Sequence, residues 1–199
     1  MSQAAYGRVA RPEPCVLELV SKLAREPWTD QPACVHPVLG SIARMVHDHS
    51  TKAGRRALLP FAPDFLETAQ VGFESSARLV ALCTSTALAT VGELTTDERR
   101  RLSNARRTAL YLLGTADEPA GPARWWLPVL NRVALSEPFY RTFVATEQAA
   151  EAVVVTARAA DDIRLRQLLK QCLAVQGARR PGAPSPSWSA SPVAQRLWL

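Results

Sequence analysis

Histidine is scarce in this sequence. The chain has three histidines in 199 residues, and all of them lie between residues 36 and 49. The C-terminal half therefore lacks the Glu-x-x-His ligand pairs of helical di-iron proteins. The sequence also contains no Walker loop and no GxGxxG, GxSxG or HExxH motif. These absences remove the usual sequence signals of nucleotide-binding proteins, serine hydrolases and zinc proteases.

Long hydrophobic runs are absent as well. The longest run covers residues 79–91 and includes threonine and serine, whereas a membrane-spanning helix needs about 20 apolar residues. The N-terminal stretch MSQAAYGRVARPEPC has no apolar core and no small-residue cleavage site. The four cysteines are far apart and form no CxxC pair. We therefore predict no membrane span, reduced thiols and a cytoplasmic location.

Lysine is rare, because 21 of the 24 basic residues are arginine. With the abundant alanine and proline, this usage suggests a GC-rich bacterial genome. The formal net charge is +6, but residues from Gly177 onward carry three arginines and no acid, which leaves +3 for residues 1–176. A body with so small a charge is weaker support for nucleic-acid binding than the overall pI of 9.6 suggests.

The apolar residues recur at helical spacing nearly throughout, and no strand alternation extends over a useful length. We predict an all-α fold, an irregular bundle of about seven or eight helices, with HEAT-like stacking as a variant. Residues 1–12 are interpreted as a flexible lead-in and residues 13–176 as a single helical domain. Residues 177–199, rich in proline and serine, are predicted to be a disordered tail with an apolar tip.

Local signals place several helix ends. Thr95 and Glu98 have the spacing of a capping box, and Gly114 suits the position after a helix. Three prolines stiffen the segment PWTDQPACVHP, where we expect Trp28 to insert into the core. Pro37 suits the first turn of the following helix, with His36 capping it.

Residues Cys34, His36, His47 and His49 raise the question of a metal site. On a continuous helix His47 and His49 project about 200° apart, so they cannot bind one ion together. The usual spacings of zinc ligands are also missing. We therefore predict neither a metal nor another cofactor, and expect His47 and His49 near a helix C-terminus.

A cysteine nucleophile is the enzymatic alternative. Cys34 paired with His36 or His47 would form the reactive centre of a small helical enzyme. Asp30 or Asp48 would then orient the imidazole. The sequence does not show that these side chains meet, so we weigh a non-enzymatic function above this one.

The strongest binding signal is a basic helix. Four arginines fall within an arc of about 120° on a helical wheel, namely Arg99, Arg100, Arg106 and Arg107. They indicate either a solvated face or a surface for phosphate, and the latter gives nucleic-acid binding as a second alternative. The adjacent Trp125 and Trp126 cannot share one narrow helical face, so we expect one of them at a contact surface.

The last candidate binding surface is the apolar tip of the tail. It consists of Leu197, Trp198 and Leu199, and Val193 joins Leu197 and Trp198 on one side if the segment becomes helical on binding. The resulting hypothesis is a non-enzymatic helical interaction or adaptor protein. It would present the basic helix and dock through its tail on a protein partner, with a homo-oligomer as an alternative.

Overall fold

A computed structural model describes residues 15–66, 68, 69, 72–132 and 136–177, and within these ranges the protein is helical with no strand. The lead-in at residues 1–12 and all but the first residue of the 177–199 tail lie outside the described residues. The α-helices, in chain order, are α1 Val16–Leu23, α2 Pro37–Asp48, α3 Lys52–Leu58, α4 Phe73–Thr90, α5 Thr96–Leu112, α6 Ala123–Asn131, α7 Ser136–Phe139, α8 Ala145–Ala157 and α9 Asp162–Gly177.

Two helices continue into other helical forms. A 3₁₀ helix, Leu59–Phe65, extends α3, and a π turn, Tyr140–Val144, joins α7 to α8 in one continuous rod. Counting that rod once, the described residues form eight helices. The prediction of an all-α bundle of seven or eight helices is confirmed.

Both ends of α5 have the structure that the sequence predicts. Thr95 and Glu98 form the capping box of α5, and Gly114 adopts a positive φ of 73° after it. The amide of Thr115 donates to the carbonyl of Leu110 across this glycine, which closes the helix as in a Schellman motif. These ends are therefore encoded locally.

The core is built around α4, which packs most extensively on α5 and α8, while α2 also packs extensively on α8. Completely buried aliphatic side chains from these helices fill the space between them, including Leu39, Ile42, Leu79, Val80 and Val153. The thirteen-residue apolar run of the sequence thus belongs to a core helix. Among the described residues, no helix is both long and apolar enough to cross a membrane.

Helices α2, α4 and α8 run in the same direction. At one end of the bundle His36 contacts Ser76, and the ring of Phe73 lies 5.9 Å from that of Tyr140. At the opposite end Arg158 forms an ion pair with Glu98. We call the first of these the His36 end, because the cleft described below lies there.

Of two predictions about the proline-rich segment, one is confirmed and the other is wrong. Pro37 does occupy the first turn of α2. Trp28, however, is 58% exposed, and its indole N–H donates to the carboxylate of Glu18 at 3.1 Å. The expected insertion into the core is wrong, because the polar edge of the indole finds a hydrogen-bond acceptor at the surface.

Candidate binding surfaces

The proline-rich segment between α1 and α2 is held by one buttressing carboxylate. Glu26 accepts hydrogen bonds from the backbone amides of Ala33 and Cys34, at 2.7 and 3.0 Å. The carbonyl of Cys34 accepts from the amide of Ala69 at 3.1 Å. Together with the fixed φ angles of the prolines, these bonds give the segment one defined conformation.

His36 ends this segment and lies at the centre of the His36 end. Its side chain is completely buried, and Nε2 lies 3.2 Å from Oγ of Ser76 on α4. Burial, with a smaller contribution from the positive charge of Arg141, lowers the pKa of His36 to about 4. The imidazole is therefore neutral near pH 7.

The expected capping role of His36 is wrong. The residue stands at the N-cap position of α2, but its side chain makes no capping hydrogen bond. The ring is oriented towards Ser76 on α4, where Nε2 has its partner, and the side chain makes no hydrogen bond to the first turn of α2.

A cleft of about 530 Å³ opens beside His36. Its floor and walls come from the proline-rich segment, the first turns of α2, Ala69 and the π turn with the start of α8. Two arginines line it, Arg44 from α2 and Arg141 from the π turn. The wider π turn places Arg141 and Thr142 together in the lining, and such turns are often found at functional sites.

The structure places the two histidines proposed as partners of Cys34 at opposite ends of α2. His36 precedes α2 and His47 lies near its other end, so eleven residues of helix put about 16 Å between them along the axis. Burial, followed by the negative charge of Glu26, raises the pKa of Cys34. A reactive cysteine needs the opposite shift. Within the part of the chain that the structure describes, no group of three or more histidine, cysteine or acidic residues is placed to hold a metal ion.

The four arginines predicted as a binding face are all exposed on α5. Arg100 is paired with Asp97, whereas Arg99, Arg106 and Arg107 have no ion pair with any residue in the described ranges. Part of the basic face is therefore neutralised from within the same helix. Three positive charges remain on the surface.

Trp125 and Trp126 lie on different faces of α6, as expected from their adjacent positions. Trp126 is half-buried and packs on two rings, Phe139 at 5.4 Å and Tyr140 at 6.2 Å between centroids. Trp125 is 82% exposed. One member of the pair thus joins the fold and the other remains at the surface.

Two further exposed apolar side chains belong to α6 and the π turn. Val129, one turn later on α6, is 59% exposed, and Phe143 in the π turn is 63% exposed. The ring of Phe143 lies 5.6 Å from that of Phe139 in a tilted contact, and Phe139 in turn meets Trp126 edge to face. We call Trp125, Val129 and Phe143 the aromatic surface.

Several residues of these surfaces give no sequence signal. Arg44, Ser76 and Arg141 are far apart in the chain and match no motif, yet they contribute to the environment of one buried histidine. The exposed Trp125 is the only part of the aromatic surface that the adjacent tryptophans indicated. The apolar tip formed by Leu197, Trp198 and Leu199 lies outside the described residues.

Comparison of the chain with protein-family models, curated proteins and solved structures found no significant match. The assignment of function therefore depends on the geometry of the surfaces described above.

Proposed function

We propose that this protein is a non-enzymatic helical interaction protein that binds an apolar segment of a protein partner through its aromatic surface. The observation that carries the proposal is the 82% exposure of Trp125. A tryptophan left in water forgoes the burial of one of the largest apolar side chains, and tryptophan is a frequent energetic centre of protein interfaces.

The way in which the aromatic surface is supported favours the same role. The ring of Phe143 is backed by Phe139, which contacts Trp126, so the surface rests on packed side chains of the fold. A contact surface held in place in this way loses little side-chain entropy on binding. The exposed residues belong to α6 and the π turn, two neighbouring parts of the chain.

The tail remains a second docking element in this proposal. The last described helix, α9, ends at Gly177, and the chain continues for 22 residues to the apolar tip. We propose that Val193, Leu197 and Trp198 bind the same partner as a short helix. The cytoplasm is the compartment proposed for this interaction.

The test compares two variants in which an exposed apolar residue is replaced by serine. Trp125→Ser removes the centre of the aromatic surface, while Ile163→Ser removes another exposed apolar residue, 64% exposed, from α9. Partners captured by the full-length protein in proximity labelling are purified and their binding is measured with the isolated components. We expect a partner whose binding is weakened about tenfold or more by Trp125→Ser and is unchanged by Ile163→Ser.

Three results would contradict parts of the proposal. Equal effects of the two serine variants would mean that general surface hydrophobicity caused the capture. Self-association that Trp125→Ser abolishes, measured by native mass spectrometry, would make a second copy the partner. Unchanged binding after deletion of residues 181–199 would remove the tail from the interaction.

Nucleic-acid binding through α5 is the second candidate. The exposure of Arg99, Arg106 and Arg107 without ion pairs in the described ranges supports it. If phosphate contacts form, affinity for a duplex must fall steeply with salt, and Arg106→Gln must reduce that dependence. A gel-shift series at rising salt measures both, and the absence of a salt-dependent shift would rule this candidate out.

A further inference from the structure

The cleft at the His36 end carries an excess of positive charge. Arg44 and Arg141 line it, and the lining contains no acidic residue among those that the structure describes. One Nη of Arg44 donates to the carbonyl of Asp30 at 3.0 Å, which orients the guanidinium and leaves further N–H groups for a ligand. Arg141 forms an ion pair with Glu137 at 3.4 Å, and that carboxylate lies on α7, outside the lining.

The N-terminus of α2 opens on the same cleft. Pro37 and Gly40, both in the first turn, line it. The side chain of His36 at the N-cap makes no capping hydrogen bond, so within the described ranges the amides of Val38 and Leu39 have no capping partner. Amides at this position, with the positive end of the helix dipole, favour an anion.

A third and independent feature is the Nδ1 atom of His36. The side chain is completely buried and belongs to the cleft lining, and Nε2 is engaged with Ser76. Nδ1 has no hydrogen-bond partner among the described residues. A buried polar atom without a partner is costly, and the cleft lies against this residue, so a ligand oxygen that reached Nδ1 would satisfy it. If the Ser76 hydroxyl donates to Nε2, Nδ1 carries the proton and can act as a donor.

The size and the remaining walls of the cleft indicate what else the ligand contains. A volume of about 530 Å³ is in the range of small-molecule sites and far exceeds that of a single inorganic oxyanion. Much of the wall is apolar, formed by Pro32, Ala33, Val35 and Ala69. The Glu26 hydrogen bonds hold this wall in its conformation without a ligand.

We propose that the cleft between the proline-rich segment, α2 and the π turn is a binding site for a small organic anion, with its phosphate or carboxylate between Arg44, Arg141 and the N-terminus of α2. The apolar body of the ligand packs against the prolines and Val35. This site is separate from the aromatic surface, although the π turn contributes Arg141 to one and Phe143 to the other.

The first experiment uses the full-length wild-type protein. Phenyl phosphate, benzoate, inorganic phosphate and uncharged benzyl alcohol are titrated separately, and backbone amide shifts are followed by NMR. We expect saturable shifts at Val38 and Leu39 with phenyl phosphate or benzoate in the millimolar range or tighter. The affinity should fall as salt is raised, because the site is partly exposed to solvent.

The other probes test whether the site selects a negative charge and whether its apolar wall contributes to binding. If benzyl alcohol binds as tightly as the anions, the arginines do not select charge and the proposal is wrong. If inorganic phosphate binds as tightly as phenyl phosphate, the apolar part of the site contributes nothing and only an oxyanion site remains. The absence of saturable shifts with every probe also overturns the proposal.

A matched pair of arginine variants then tests whether Arg44 binds the anion. Arg44→Gln should weaken phenyl phosphate binding about tenfold or more, the size expected for loss of a charge-assisted hydrogen bond. Arg166→Gln removes an exposed arginine of α9, outside every proposed binding surface, and should leave the affinity unchanged. Equal affinities of the two variants would refute the role of Arg44. Should Arg44→Gln fail to fold, the wild-type shift pattern remains decisive, because shifts spread over α5 rather than α2 contradict the site.

Discussion

His36 should make the stability of the protein depend on pH between about 6.5 and about 4, so the loss begins above the range in which carboxylates titrate. The imidazole is completely buried, and its pKa in the folded protein is about 4, against 6.5 for an unperturbed histidine. Burial is the main cause, and the charge of Arg141 adds to it. Below pH 6.5 the unfolded chain takes up a proton on this ring while the folded protein does not. Stability is therefore complete above about pH 6.5 and is lost as the pH falls towards 4.

The size of the effect follows from that difference. A shift of one pKa unit corresponds to about 1.4 kcal/mol, so the whole shift is equivalent to about 3 kcal/mol. Between about pH 7.5 and about pH 4.5 the contribution of His36 should fall by about 2.5 kcal/mol. This is a large fraction of the roughly 5–15 kcal/mol that stabilises a typical domain.

The assay is urea unfolding at a series of pH values for the wild type and for His36→Gln. The substitution removes the titrating group, so the difference between their unfolding free energies should shrink by about 2.5 kcal/mol across this range. Other groups that titrate in both proteins cancel in that difference. His49→Gln, which removes an exposed histidine at the other end of α2, is the control, and only the His36 difference should change by this amount.

A difference that stays constant with pH would refute the reasoning. It would mean that the imidazole of His36 is solvated or that its protonated form finds a partner in the folded protein. NMR titration of the His36 ring tests both explanations together, since each predicts a pKa near the ordinary value rather than about 4.

Three further predictions concern local contacts. Gly54→Ala should destabilise the protein by about 1 kcal/mol in urea unfolding, because the added Cβ would lie 2.5 Å from the carboxylate of Asp162. That carboxylate accepts a hydrogen bond from the backbone amide of Thr51, just before α3. A variant as stable as the wild type would contradict this close approach. Thr95→Ala should cost about 1 kcal/mol by loss of the α5 cap, and unchanged stability would show that the capping box contributes nothing. Cys34 should react with a thiol probe near pH 7 no faster than an unfolded peptide, because its pKa is raised; mass spectrometry that finds faster labelling would restore the enzymatic alternative.

The sequence by itself determined the helices and many of their ends. The apolar periodicity predicted the all-α class, which the structure confirms. The capping box of α5, Gly114 after that helix and Pro37 at the start of α2 were also predicted correctly. These features depend on residues within one or two turns of each other, so their physical cause is contained in a short stretch of sequence.

Tertiary structure alone decided the cleft and the state of its histidine. The environment of His36 combines Ser76 from α4, Arg141 from the π turn and Arg44 from α2. The π turn was itself not predicted, because a widened turn inside a helix leaves the apolar pattern nearly unchanged. Trp28 shows the same limit, since the sequence indicates a large apolar ring but not the position of Glu18. Burial and charge at a site depend on which helices pack together, and that packing is set by the whole core rather than by any local pattern.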